Sequence, residues 1–186
     1  MTDRPGRRPR DPAGRRQAIV DAATRVIAEA GLAGFTHRRV AEVADVPVGS
    51  TTYYFKDLDE LREAALAEAA QSAIDGLDQW SQELAENADL PATLARLTAA
   101  YVADGERNRA QNELYAAASH RPGLRRLARL WSDGLITLLE PRIGHARAEM
   151  VAVFLDGAVL RSLIADEPLS TATLSEALAR LVRDER

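Results

Sequence analysis

The sequence predicts an all-α protein in two parts, an N-terminal trio of short helices followed by a larger helical body. Three observations predict it. Alanine, leucine and arginine abound in a chain of 186 residues with only 5% aromatics, a composition that favours helix. Apolar residues recur at helical spacing between Pro, Gly, Asp and Thr, the residues that start and stop helices. Charge is divided unevenly: residues 1–56 hold ten bases against six acids, so a net of +4 precedes a remainder of −8 in a chain whose total is −4. A basic head on an acidic body suits a head that meets a polyanion and a body repelled from it.

Residues 1–14 contain Pro5, Gly6, Pro9, Pro12 and Gly14 and predict a disordered basic arm. Its PGRRPR core either lies in an A·T-rich minor groove or stays a solvated tail. A first helix over 15–30 places Ile19, Ala22, Ala23, Val26 and Ile27 on one stripe, and Gly31 ends it. The stretch 35–55, FTHRRVAEVADVPVGSTTYYF, divides into two helices at Asp45-Val46-Pro47. Thr36 can cap the first by accepting an unpaired amide. Asp45 tolerates the left-handed turn conformation better than most residues, and Pro47 suits the start of a second helix. That second helix, over 48–54, carries Gly49, Ser50, Thr51 and Thr52, then Tyr53 and Tyr54. It has too little apolar area for a core helix. Its composition fits a helix set in a DNA major groove, with a close backbone approach at Gly49, hydroxyls reaching phosphates or base edges, and tyrosines on backbone or thymine methyls. The geometry is a helix-turn-helix.

These residues carry a family resemblance. Thr36, Arg38, Val40, Ala41, Ala44, Val46, Gly49, Ser50, Tyr54 and Phe55 match the pattern of the N-terminal DNA-binding domain of the tetracycline-repressor (TetR) family of bacterial transcriptional regulators, which this chain resembles from about residue 15 to 61. It departs at Asp45 (usually Gly), Pro47 (often Ser), Thr51 (usually Leu or Ile) and Thr52 (usually Tyr). The resemblance implies an N-terminal helix-turn-helix DNA-binding domain over 15–56 and a C-terminal helical ligand-binding and dimerisation domain over 57–186. It also implies a phosphate contact for Lys56, the only lysine in the chain. The expected DNA-reading set is Thr36, Arg38, Gly49, Ser50, Thr51, Thr52, Tyr53, Tyr54 and Lys56.

In the body, Asp57 followed by Glu60 forms a capping box that should open a long helix over 58–85, with Leu61, Ala65, Ala69, Ile74 and Leu77 inward. Pro91 should open a helix to 103, and residues 104–109 are either a turn or a helix start. A helix through Glu113, Leu114, Ala117 and Ala118 should end near Pro122. The next should cover 123–139 and stop at Pro141 and Gly144. A helix over 146–166 is apolar all round and should be buried on more than one side. Ser170 or Thr171 should cap a last helix to about residue 183.

Two terminal helices with surplus apolar surface call for a partner, and the resemblance implies a homodimer through 146–183, joined as a four-helix bundle. Trp80, Tyr101, Trp131 and Phe154 are the larger candidates for the wall of a small-molecule cavity, with Tyr101, Glu113 and Asp156 as its polar groups. An apolar or aromatic effector with a donor or a positive charge would fit them. Asp156 alternatively pairs with Arg161 or Arg129.

No cysteine is present, and His37, His120 and His145 are scattered without metal-ligand spacing. No phosphate loop or nucleophile-base set stands out, and no window is long and apolar enough to span a membrane. The expected protein is therefore a cytoplasmic, ligand-responsive regulator of double-stranded DNA that needs no cofactor or metal and is no enzyme. The rival readings are a helical enzyme or carrier with a structural N-terminal trio, and an effector-free architectural DNA-binding protein.

Overall fold

Asp11 starts the first helix, because its carboxylate accepts from the Gly14 amide at 2.9 Å and Pro12 occupies the first turn, where no amide donor is required. Helix α1 therefore spans Pro12–Ala30. It begins three residues before the sequence suggests, and residues 12–14, with Asp11 as their cap, belong to it rather than to a disordered arm. The computed structural model describes residues 11–183; the rest of the basic arm lies outside the described residues. Among the described residues there are nine α-helices and no strand.

Gly31 ends α1 with φ of 64°, in the region open to glycine. Helix α2 (His37–Val43) is capped by the Thr36 hydroxyl, which accepts from the Arg39 amide at 3.2 Å. Asp45 takes the expected left-handed turn at φ 53°, and Pro47 precedes α3 (Val48–Tyr54). Helix α4 (Leu58–Glu86) is capped by Asp57, whose carboxylate accepts from the Glu60 amide at 2.8 Å. The Glu60 carboxylate reaches back to the amide of Lys56 at 2.7 Å, so the box closes one residue further out than usual.

Helices α5 (Leu90–Ala103) and α6 (Gly105–His120) follow, capped by Asp89 and Asp104; the Asp89 cap starts α5 one residue ahead of Pro91. Residues 122–124 form one tight turn before α7 (Arg125–Ile143). Pro141 lies inside α7 rather than ending it. So near the helix end its missing amide removes only one backbone hydrogen bond, and Gly144 at φ 77° makes the stop. Leu139 is the buried residue of that turn. Helix α8 (His145–Ser162) ends four residues earlier than expected, and α9 (Thr171–Leu181) is capped by the Ser170 hydroxyl.

The 29-residue α4 spans two apolar cores. Its first half places Leu61, Ala65, Leu66 and Ala70 with Ile19, Val26, Ile27, Phe35, Val40 and Phe55 of the head. Leu114, Ala117 and Ala118 of α6 and Ala128 of α7 complete that core. Its second half places Ala73, Leu77, Trp80 and Leu84 with residues of α5, α7, α8 and α9. Helix α9 packs on α5, and α7 on α8. The expectation that α8 is buried on several sides is not met in the single chain. Val151, Ala152, Leu155 and Ala158 face the core, whereas Met150, Val153, Leu160 and the following Ile164 are exposed.

Candidate functional site

Helix α3 is held by few atoms. Thr51 is its one buried side chain, with the hydroxyl 2.8 Å from the Val48 carbonyl and 3.0 Å from Nδ1 of His37. Thr51 therefore anchors α3 to α2 and leaves the expected DNA-reading set. Its position, two turns of helix with a single inward face, is what composition alone cannot reveal.

The rest of that set divides by exposure. Arg38, Gly49, Thr52, Tyr53 and Lys56 are exposed; Ser50 and Tyr54 are half-buried. Tyr53 is 81% exposed and meets Tyr54 edge-on at 5.0 Å. Thr36 is exposed and spends its lone pair on the α2 cap. A Cβ added at Gly49 would meet nothing within 4 Å, so the open surface there admits another molecule. The sequence reading misses Val48, an exposed apolar side chain at the start of α3. Arg39 is engaged by Glu29 at 3.8 Å and Glu42 at 3.4 Å, while Arg16 lies over the Phe55 ring at 4.8 Å and braces the end of α3.

The body gathers most of the expected cavity residues. Trp131 of α7 meets Trp80 of α4 edge-on at 4.9 Å and stacks on Tyr101 of α5 at 5.7 Å. Arg107 lies over the Tyr101 ring and donates to the Ser72 carbonyl; Gly76 makes room for it, since a Cβ there would collide with the guanidinium. Phe154 packs half-buried against the same core. Asp156 of α8 accepts from the Tyr115 hydroxyl of α6 at 3.4 Å. Arg129, one of its expected partners, pairs with Asp133 instead. Burial pushes the Asp156 carboxyl up to about 6, against the lowering effect of the Tyr115 hydrogen bond. Burial also pushes the Tyr101 hydroxyl up to about 12, with Asp156 among the charges acting on it, and raises Tyr115 further. The carboxylate thus stands within electrostatic reach of both phenols and, through Tyr101, of the tryptophan stack.

Glu113 lies elsewhere. Its carboxylate accepts from the Leu32 amide at 3.3 Å, beside Gly31, and one turn earlier Arg109 donates to the Ala28 carbonyl at 2.9 Å. Both side chains join α6 to the end of α1, away from the aromatic cluster. The opposite stripe of α6, Asn108, Gln111, Asn112 and Tyr115, is missed by the sequence reading although its spacing of three and four is a detectable signal. Asn108 donates to Ser162 at 3.1 Å and accepts from Asn112 at 2.9 Å. Among the described residues no three His, Asp or Glu gather as a metal would require, and no helix is long and apolar enough to cross a membrane.

Residues 19–65 match the bacterial regulatory proteins of the tetR family, and residues 85–184 match a tetracyclin repressor-like C-terminal domain. The chain is 33% identical over 174 residues to the HTH-type transcriptional regulator BetI of Burkholderia mallei, covering 84% of this chain and 86% of that protein. A solved structure of a TetR-family member from Streptomyces coelicolor superposes with a TM-score of 0.80 at 39% identity, over 91% of this chain and 99% of its own. The multidrug binding protein EbrR complexed with ethidium superposes with a TM-score of 0.75 at 39% identity, again over 91% and 99%. EbrR has also been solved with proflavin and with malachite green.

Proposed function

Because the chain belongs to the TetR family of bacterial regulatory proteins, a family of DNA-binding regulators rather than enzymes, we propose that it is a dimeric repressor that holds a palindromic operator and releases it when a flat organic cation enters the body. The observation that carries this reading is the pairing of two surfaces in one chain. One is a two-turn α3 whose exposed residues are Val48, Gly49, Thr52 and Tyr53. The other is an aromatic cluster of Trp80, Tyr101 and Trp131 whose Tyr101 lies within the electrostatic reach of the Asp156 carboxylate.

The head supplies the DNA contacts. Thr52, Tyr53 and Ser50 are offered to base edges and Lys56 and Arg38 to phosphates, which fix register without reading sequence. A second copy supplies the other half-site. Met150, Val153 and Leu160 stand at spacings of three and seven along one side of α8, with Ile164 four residues on, just past its end, an apolar seam suited to the same seam of a partner.

The effector class follows from the body. Aromatic walls stack on a planar ligand, and a buried carboxylate that ionises above about pH 6 pairs with a positive charge. EbrR, at 39% identity, is a multidrug binding protein that takes ethidium, a ligand of this class. The test is a fluorescence-anisotropy titration of the chain on its own upstream DNA, repeated with ethidium. Expected is salt-sensitive specific binding that ethidium reverses; the control is the same dye-to-DNA ratio without protein. Binding with no preference for the upstream DNA over random duplex would overturn the reading.

A further inference from the structure

We infer that Gln111 is a neutral hydrogen-bond acceptor in the effector pocket that selects, among flat cations, those bearing exocyclic N–H groups. The inference rests on the cation reading above and adds a discrimination that this reading does not contain. Gln111 is 4% exposed, and neither its Oε1 nor its Nε2 makes a hydrogen bond of proper geometry. A buried amide with an end left unpaired is costly, and a native protein keeps one where a ligand or a water completes it.

Its surroundings decide what completes it. Gln111 lies one turn before Tyr115 on α6, on the same face, and its amide favours the ionised form of the Tyr115 phenol. The single Tyr115 proton points to Asp156, so the phenol oxygen can only accept on the Gln111 side. With Nε2 turned to Tyr115, Oε1 is left as an acceptor, and Asp156 is an acceptor as well once ionised. The next polar side chains along α6, Asn108 and Asn112, are already bonded to each other and to Ser162. The contact of α6 with α8 thus presents two acceptors, one charged and one neutral, and the charged one acts on Tyr101 of the aromatic stack. An aminoacridine-type cation matches it, because its charge is delocalised onto amino groups whose N–H bonds are strong donors. Alkylating those amino groups keeps the charge and the ring but removes the donors.

The experiment compares proflavin with its tetra-N-methyl analogue, acridine orange. Each is titrated into the full chain without DNA, and binding is followed through quenching of Trp80 and Trp131, the only tryptophans. Wild type is expected to bind proflavin about 5–10-fold more tightly, the ratio one neutral hydrogen bond supplies. Gln111→Leu should bring the ratio to about one by weakening proflavin alone. It should also raise the melting temperature of the free protein, since an unpaired amide is replaced by an apolar side chain of similar volume. Asp156→Asn should weaken both dyes alike. Equal affinity of wild type for the two dyes, or an equal loss of both in Gln111→Leu, would overturn the inference while the Asp156 result kept the cation reading intact. Failure of wild type to bind either dye would overturn both.

Discussion

Nδ1 of His37 lies 3.0 Å from the hydroxyl of Thr51, which in turn lies 2.8 Å from the Val48 carbonyl. One hydroxyl proton serves one acceptor, so the proton goes to Val48 and the His37 nitrogen donates to Thr51. The consequence is that a polar contact, buried on the Thr51 side, fixes α3 against α2. Thr51→Val removes the hydroxyl at constant shape. It is expected to cost about 1 kcal/mol of stability, seen as a lower melting temperature, while the ranking of operator variants stays as in wild type. Ser50→Ala and Thr52→Ala should do the reverse, changing the ranking with little effect on melting.

Lys56→Ala should weaken DNA binding about equally on every sequence. The slope of log affinity against log salt should fall by roughly one unit, the signature of one lost phosphate contact. A slope identical to wild type would remove Lys56 from the phosphate set.

The Asp156 carboxyl is raised from 3.8 to about 6, chiefly by burial. A cation held by the carboxylate should bind at most about tenfold more weakly at pH 5 than at pH 7.5, measured by tryptophan quenching. The sign for stability runs the other way. The folded state keeps its proton longer than the unfolded state, so stability falls as pH rises from about 4 to 6. Asp156→Asn should therefore raise the melting temperature above pH 6, with the gain fading as pH falls toward 4.

Val153 is 68% exposed and Leu160 54% exposed, so Val153→Arg or Leu160→Arg should leave the helical fold intact by circular dichroism. Either should convert a dimer to monomer in sedimentation velocity and abolish tight operator binding. Leu178 is fully buried against the body core, and Leu178→Arg should unfold the chain instead. The pair of outcomes separates the seam from the core.

Arg109 and Glu113 tie α6 to the last turn of α1 and to Leu32, while Tyr115, on the opposite stripe of the same helix, donates to Asp156. The double variant Arg109→Ala/Glu113→Ala is expected to bind ethidium within about twofold of wild type. Dye-driven release of the operator should be reduced, because coupling between the sites is a free energy of about 1–3 kcal/mol carried by such contacts. Unchanged release would place the coupling elsewhere.

What the sequence discloses about this chain is what the backbone decides locally. The Thr36 cap, the left-handed Asp45, Pro47 ahead of α3 and the Asp57 to Glu60 box all act over three or four residues, and the structure has each in place. Even the early start of α1 was written in Asp11-Pro12, but the surrounding Pro and Gly content obscures it. The site residues depend on which way a helix is rolled, and that is settled by packing. Thr51 looks like its neighbours Ser50 and Thr52 in composition yet faces inward. Glu113 looks like a pocket carboxylate yet faces α1, because it shares a stripe with Arg109 and not with Tyr115. Gln111 carries no charge or aromatic ring to draw notice; only its burial without partners reveals it.

Lys56 is exposed at the junction of α3 and α4 and is the chain's single lysine. Acylating reagents therefore find one side-chain amine in the whole molecule, and it stands beside the surface offered to DNA. Attaching the protein through lysine to a sensor chip or resin turns that surface toward the support, whereas carboxylate-directed attachment engages the acidic body and leaves the head free. A single lysine also makes its acylation a site-specific reporter: on the proposed contact set, operator binding should lower the fraction of Lys56 modified, read from the mass of the peptide that carries it.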